Sequence, residues 1–214
     1  MSTGNTLKMF DLQSFRSVID RYGGLAKVAR FGIKIHANGP GGFLTNQTNI
    51  LNDLTFLCES AELPGRALNV MEYRYGGSGS KYPSQTLYSE MALTFICRND
   101  MQERKFFDNW MEAINPSTSY EFGYKSFYTT QIDIYAFSDN NEGTVEFPVL
   151  KENYSAKLVK AYPINVNSMP VVWADENFHR LQVQFAFTEW QKINEPVSPS
   201  FPIIAGATLA SSTL

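Results

Sequence analysis

The chain has 214 residues, of which 43% are hydrophobic and 14% aromatic, and its formal net charge is −3. This length and composition predict one folded domain with a packed core and exclude an intrinsically disordered chain. Charged residues make up only 18% of the chain, so it lacks the dense basic surface with which tight nucleic-acid binders neutralise phosphates.

The first predicted element is a short helix over residues 11–22. Its apolar residues recur at three- and four-residue spacings: Leu12, Phe15, Val18, Ile19 and Tyr22. Gly23-Gly24 then supply the left-handed stop that helices favour. We assign residues 1–24 to an N-terminal helical arm.

From residue 30 the apolar period changes to two, which predicts a strand over residues 30–36. The turn-rich and polar stretch 38–52 predicts an exposed loop. A second strand is predicted over 54–60, followed by the turn signature Leu63-Pro64-Gly65. A third strand begins near Leu68 and continues through Tyr75.

A flexible glycine-rich segment follows, flanked by aromatic and basic residues. This pattern is typical of a long hairpin that projects from the domain, here over about residues 70–90. Tyrosine is enriched at protein interfaces, and these tyrosines border a loop with no evident core to fill. The predicted contact arm consists of Tyr73, Arg74, Tyr75, Gly76, Gly77, Ser78, Gly79, Lys81 and Tyr82.

A strand is predicted over residues 87–97, and the strongest helix pattern follows over 101–114. Asp100 and Glu103 have the spacing of a capping box, and Asn115-Pro116 end the helix. An aromatic stripe along this helix must lie against a sheet. The predicted structural core includes Phe95, Phe106, Trp110, Phe185 and Phe187.

The remainder predicts strands over residues 128–137, 144–149, 154–166 and 181–190. Roughly eight strands and two helices indicate a mainly β protein: an antiparallel β-sandwich or barrel with one flanking α-helix and a short N-terminal helix. We expect residues 25–194 to form this β domain and residues 195–214, which carry no charge from Pro196 onward, to form an irregular tail.

The sequence contains few residues in patterns typical of catalytic, cofactor-binding or metal sites. His36 and His179 are the only histidines, and neither belongs to a zinc motif. The glycine clusters fit no phosphate loop, and Asp139 and Glu142 lie in a predicted turn that lacks calcium-loop spacing. We therefore expect no catalytic, cofactor-binding or metal site, and a protein that is not an enzyme.

Two further expectations concern the compartment. Cys58 and Cys97 lie in separate apolar stretches outside any CxxC pair, which favours two buried thiols over a disulfide. The N-terminal residues lack the apolar core of a signal peptide, and no run reaches the roughly 18 apolar residues of a membrane span. We expect a cytoplasmic protein with no membrane partner.

The order of these elements resembles the tail-tube proteins of T4-like contractile bacteriophages, whose Hcp-like fold is shared by type VI secretion tubes and pyocin tubes. The similarity covers about residues 25–192. It rests on the alternating strand 30–35, the strand and Leu-Pro turn 56–65, the long hairpin, the strand and aromatic helix 93–110, the Tyr-Pro corner 161–164 and the last strand 183–190.

The resemblance implies a structural subunit that assembles into stacked hexameric rings, with the arm at the ring-to-ring contact. The hollow tube would carry DNA without binding it, and its partners would be the tail sheath, baseplate and tape-measure proteins. The protein would be found in the virion tail and, during assembly, in the host cytoplasm. The long 38–52 segment and the C-terminal tail leave a baseplate tube initiator of the same fold as an alternative, and a β-barrel binding module or enzyme as a further one.

Overall fold

The computed structural model describes residues 12–21, 24–37, 41–74, 76–144, 147–173 and 176–193. Several predictions lie outside these ranges: the arm before residue 12, Tyr22 and Gly23 at the helix end, Tyr75, and the tail 195–214. The described helices are α1 (Leu12–Arg21), α2 (Thr48–Leu57), α3 (Gln102–Ile114) and α4 (Lys125–Tyr128), with a 3₁₀ turn at Phe43–Asn46. The described strands are β1 (Phe31–Ile35), β2 (Cys58–Ala61), β3 (Ala67–Tyr73), β4 (Ser80–Leu87), β5 (Met91–Ile96), β6 (Thr130–Thr144), β7 (Phe147–Val166), β8 (Arg180–Ala186) and β9 (Glu189–Lys192).

Seven strands form one antiparallel sheet in the order β1-β6-β7-β8-β5-β2, with β9 also paired to β7. The sheet bends within β7. Residues up to Ala161 pair with β6 and β9, whereas Tyr162 and the residues after it pair with β8. At the bend Lys160 has a φ of 55° and the register shifts, so one strand serves two halves of a curved sheet. We call these the first half (β1, β6, β7 and β9) and the second half (β7, β8, β5 and β2).

The core lies between the two halves and the helices. Strands β5 and β8 alternate in burial, as period-two strands do when one face is covered. The buried residues of these strands are Met91, Leu93, Phe95, Leu181, Val183 and Phe185. From the other half, β1 and β6 supply Ile33, Ile35, Ile132 and Ile134, each almost fully buried. The predicted mainly β fold with antiparallel strands is confirmed.

Helix α3 closes the core with an aromatic cluster. Phe107 and Trp110 are both fully buried, and their rings lie 6.2 Å apart, nearly parallel. The Trp110 ring is also 6.1 Å from the Phe185 ring on β8, at a steep angle. The indole Nε1 of Trp110 donates a hydrogen bond to the Tyr128 carbonyl oxygen at 2.9 Å, which ties α3 to α4. A large indole therefore packs fully buried without leaving its N–H unsatisfied.

The predicted capping box at the start of α3 forms only in part. Asp100 Oδ1 accepts a hydrogen bond from the Gln102 backbone N–H at 3.5 Å, but Glu103 is used elsewhere. Met101 precedes the helix in a left-handed conformation, and the Glu103 carboxylate is fully buried. It accepts hydrogen bonds from the Arg98 backbone N–H at 3.0 Å and from the Arg98 guanidinium Nε at 2.5 Å. A charged donor makes a stronger hydrogen bond than a capping amide, so the carboxylate turns to Arg98.

The prediction for residues 43–57 is wrong, whereas residues 58–60 do lie in a strand. Instead of an exposed loop and a strand, residues 43–57 form the 3₁₀ turn and α2, and β2 is only four residues long. Leu51 and Leu54, three residues apart, are buried against the core, whereas Phe56 is 88% exposed. The burial follows a helical period, and α2 packs against β1.

Three further boundaries differ from the prediction. The strands predicted over 144–149 and 154–166 are one strand, β7, and the last predicted strand is split into β8 and β9. The predicted turn at Asp139 and Glu142 belongs to β6. The differences in β7 and at the break between β8 and β9 follow from the change of partners along β7, because such strands keep no single sequence pattern.

Candidate assembly surfaces

The β3–β4 hairpin is a separate two-stranded sheet that the rest of the described chain leaves uncovered. Every residue of both strands is exposed. Its large apolar side chains are between 47% and 61% exposed, and they are Leu68, Val70, Met71, Tyr73, Tyr82 and Leu87. A lone two-stranded hairpin is only marginally stable in water. A partner that covers these side chains would therefore stabilise it.

Both faces of the hairpin carry apolar groups. Met71 lies opposite Tyr82 on one face, and Val70 lies opposite Pro83 on the other. The register shifts between Asn69 and Val70, so the strands twist there. A surface that is apolar on both sides suits insertion between other elements better than packing on a flat surface.

The tip of the hairpin holds the predicted glycine segment. Gly76 and Gly77 have φ values of 60° and 145°, which side chains other than glycine rarely adopt. Arg74 Nε lies 2.8 Å from Glu72 Oε1, and both side chains are largely exposed, so this ion pair contributes little to stability. Lys81 lies opposite Glu72 in the ladder, while Ser78 and Gly79 lie in the connection itself.

The base of the hairpin is fixed to β9, in the first half of the sheet, by Arg66. Its guanidinium lies 4.7 Å from the centre of the Trp190 ring and 5.7 Å from that of Tyr88. Trp190 Nε1 in turn donates to the Gly65 carbonyl oxygen at 3.1 Å. Cation–π contacts on both sides hold the point where the hairpin leaves the domain. The hairpin therefore projects from a fixed base.

A second apolar surface lies at the opposite end of β5 and β8, in the segment that joins β7 to β8. Four of its side chains are highly exposed: Val171 (87%), Val172 (59%), Trp173 (106%) and Phe178 (77%). The segment is attached to the domain by main-chain hydrogen bonds, from Cys97 N–H to the His179 oxygen and from Asn167 N–H to the Gln182 oxygen. This surface was not predicted from the sequence, although the Val171-Val172-Trp173 run between two strands was its signal.

Two other apolar groups are exposed. Between α3 and α4, the rings of Tyr120, Phe122 and Tyr124 are 74%, 77% and 88% exposed. On α1, the stripe of Leu12, Phe15 and Val18 is also exposed, and no residue of this helix is buried. Gly24, with a φ of 104°, donates its N–H to the Ile19 oxygen and ends the helix.

The residues predicted for the core fall in two groups. Phe95, Trp110 and Phe185 are fully buried and Phe106 is 5% exposed. Phe187 lies just after β8, is only partly buried and packs on the edge of the core, with its ring 6.1 Å from that of Tyr88. It therefore lies beside the base of the hairpin.

Among the described residues, the polar groups include a cluster at Asp133, whose carboxylate accepts hydrogen bonds from Gln131 Nε2 at 2.8 Å and from the Tyr135 hydroxyl at 3.3 Å. His36 Nε2 lies 2.7 Å from Asp133 Oδ2, and burial together with the Asp133 charge raises the pKa of Tyr135. Cys58 and Cys97 are free thiols, and burial raises the pKa of Cys58 to about 12. Within the described ranges, no three histidine, cysteine or acidic side chains are grouped to hold a metal ion. The described helices are also too short or too polar to cross a membrane.

The model of the phage tail tube protein family matches residues 26–193, most of the chain. The chain belongs to the phage tail tube protein family. The resemblance drawn from the sequence is thereby confirmed, and it places this tail tube protein in the tail of a virion as a structural component. No curated protein sequence matches the chain.

Solved structures of contractile injection systems share the fold of this tail tube protein. A chain of the extended sheath–tube complex of an extracellular contractile injection system (PVC) is 15% identical, with a TM-score of 0.54 over 83% of this chain and 97% of its own. A chain of the tube-terminating cap of the anti-feeding prophage is 16% identical, with a TM-score of 0.54 over 78% and 90%. A chain of the anti-feeding prophage baseplate is 15% identical, with a TM-score of 0.51 over 79% and 95%.

Proposed function

We propose that this tail tube protein assembles as hexameric rings, which stack into the hollow tube of a contractile tail and conduct DNA during delivery. The observation that carries the proposal is the β3–β4 hairpin, an apolar two-stranded arm on a fixed base that is exposed within the described part of the chain. The apolar side chains of such an arm become buried when another copy of the protein covers them. The protein acts by assembly and catalyses no reaction.

The sheet edges support closure into rings. Among the described strands, β1 and β2 lie at the two ends of the strand order, so each has one side that pairs with no described strand. Unpaired edges promote uncontrolled association, and closing a sheet through neighbouring copies removes them. The matched baseplate structure of the anti-feeding prophage is six-fold symmetrised, which supports six copies per ring.

The charge of the chain suits a conduit for DNA. With a formal net charge of −3, the chain as a whole does not attract a polyanion such as DNA. DNA therefore passes without specific binding. Outside the tube, the partners would be the sheath and the baseplate, and inside it a tape-measure protein. Assembly takes place in the host cytoplasm. A tube initiator at the baseplate remains the alternative, because chains of baseplate and cap assemblies share this fold.

Electron microscopy and sedimentation of the purified protein test this function. We expect rings or stacked tubes at micromolar concentration, and long tubes without a nucleating partner would favour the main tube over the initiator. A deletion of Gly77, Ser78, Gly79, Ser80 and Lys81 should leave soluble subunits or single rings and abolish long tubes. The variant Lys81→Ser retains the length of the arm and should still form tubes.

Two results would count against the proposal. A wild-type protein that stays monomeric at high concentration would refute assembly into a tube. A deletion variant that still forms long tubes would show that the arm is not the stacking contact. The proposal that the protein forms rings would remain valid.

A further inference from the structure

We infer that the groove beside Phe178 receives the β3–β4 hairpin of a second copy of this chain, in the adjacent ring. The inference rests on the proposed tube. It adds the surface that the hairpin contacts, which the sequence analysis did not identify.

The groove consists of two cavities that share Asn177, Phe178 and His179. The larger, about 650 Å³, is also lined by the end of β5 and the residues before α3, among them Ile96 and Met101. The smaller, about 300 Å³, lies on the other side, against Met169, Pro170, Val171, Val172 and Arg180. Both volumes fall in the range of about 300–1,000 Å³ that holds several side chains or a small ligand.

The chemistry of the groove fits the chemistry of the hairpin. The groove presents apolar side chains with amide and imidazole groups beside them, and the hairpin presents methionine, valine and tyrosine side chains. Tyrosine rings with hydroxyl groups bury well in such a site, because the ring fills an apolar cavity and the hydroxyl reaches a polar rim. The residues of Val171 to Trp173 are too exposed to form part of the domain's own core.

The positions of the two surfaces identify the occupant. Arg66 and Tyr88, at the base of the hairpin, lie before the start of β5, whereas the groove lies beyond its other end. β5 has six residues, so it separates them by about 20 Å. Stacking of rings needs a contact between unlike surfaces whose rotation does not close, and a hairpin at one end with a groove at the other supplies two such surfaces.

Cross-linking tests this contact directly. In a double variant, Tyr82→Cys with Phe178→Cys, a short bis-maleimide should join the arm of one copy to the groove of the next. Native Cys58 and Cys97 are partly or fully buried, so wild-type protein treated in the same way is the control. We expect a ladder of covalent products on denaturing gels that continues beyond six chains, and at most dimers from either single variant.

The cross-linked products separate the competing arrangements. A ladder that ends at six chains would place the hairpin against a neighbour in the same ring, and products that end at two would place hairpin against hairpin. Either result overturns the inference. If electron microscopy shows tubes but the double variant gives no cross-linked products, the groove is not the site that binds the hairpin, while the proposed function stands. If no tubes form, the proposed function itself fails.

A mixing experiment tests the contact without cross-linking. Tyr82→Asp blocks the arm and Phe178→Asp blocks the groove, and both positions are more than half exposed, so each variant should fold with an unchanged circular dichroism spectrum. Each variant alone should stop at single rings. The equimolar mixture should give pairs of rings with twice that mass by light scattering, because one variant keeps its arm and the other its groove. A mixture that stays at the mass of single rings would contradict the inference.

Discussion

Replacing Trp110 by alanine should destabilise this tail tube protein more than any exposed substitution. The indole is fully buried and lies near the rings of Phe106, Phe107 and Phe185, at 5.7, 6.2 and 6.1 Å. Removing a buried tryptophan leaves a cavity that the surrounding rings fill only in part. The expected loss in the free energy of unfolding is about 3–5 kcal/mol.

A second variant separates packing from hydrogen bonding. Trp110→Phe retains an aromatic ring but removes the Nε1–H that donates to the Tyr128 carbonyl oxygen at 2.9 Å. An unsatisfied buried carbonyl costs about 1–3 kcal/mol, so this variant should lie between wild type and Trp110→Ala. Trp173 offers a matched control, because its side chain is fully exposed and Trp173→Ala should change stability by less than about 0.5 kcal/mol.

Denaturant unfolding followed by circular dichroism measures these differences. All variants are compared at one low protein concentration, because assembly stabilises the folded state and depends on concentration. An unfolding midpoint of Trp110→Ala that equals that of Trp173→Ala would refute the packing of α3 described above. Equal midpoints for Trp110→Ala and Trp110→Phe would show instead that the hydrogen bond, and not the ring, carries the stability.

Three further predictions concern single contacts. Arg66→Ala removes the cation–π contacts at the hairpin base, so it should change the unfolding free energy by only about 1 kcal/mol but raise the concentration at which tubes appear in sedimentation. Arg98→Met leaves the buried Glu103 carboxylate unpaired and should cost on the order of 3 kcal/mol in denaturant unfolding, whereas Arg180→Met breaks an exposed pair and should cost less than about 1 kcal/mol; equal losses would contradict this. With its pKa raised to about 12, the Cys58 thiol should stay protonated at pH 8 and react with Ellman's reagent only after unfolding; rapid reaction of the native protein would refute its burial.

The sequence was sufficient wherever one element keeps one pattern. β1 alternates between apolar and polar residues over its whole length, and α3 repeats aromatic residues at helical spacing, so both were predicted nearly to the residue. The hairpin was predicted for the same reason, since its glycine tip separates two tyrosine-containing strands. Family membership also followed, because the order of such elements is visible along the chain.

Tertiary structure decided the features that depend on partners distant in sequence. Leu54, Phe56 and Cys58 alternate like a strand, but burial against β1 selects the helical period of Leu51 and Leu54 and leaves Phe56 in solvent. β7 pairs with different strands before and after its bend at Lys160. A local sequence pattern does not specify which strand will be the partner of β7. The groove beside Phe178 arises for the same reason, because the ends of β5 and β8 meet only in the folded sheet. Periodicity determines which face of an element is apolar, and the packing of distant elements determines which apolar faces remain uncovered.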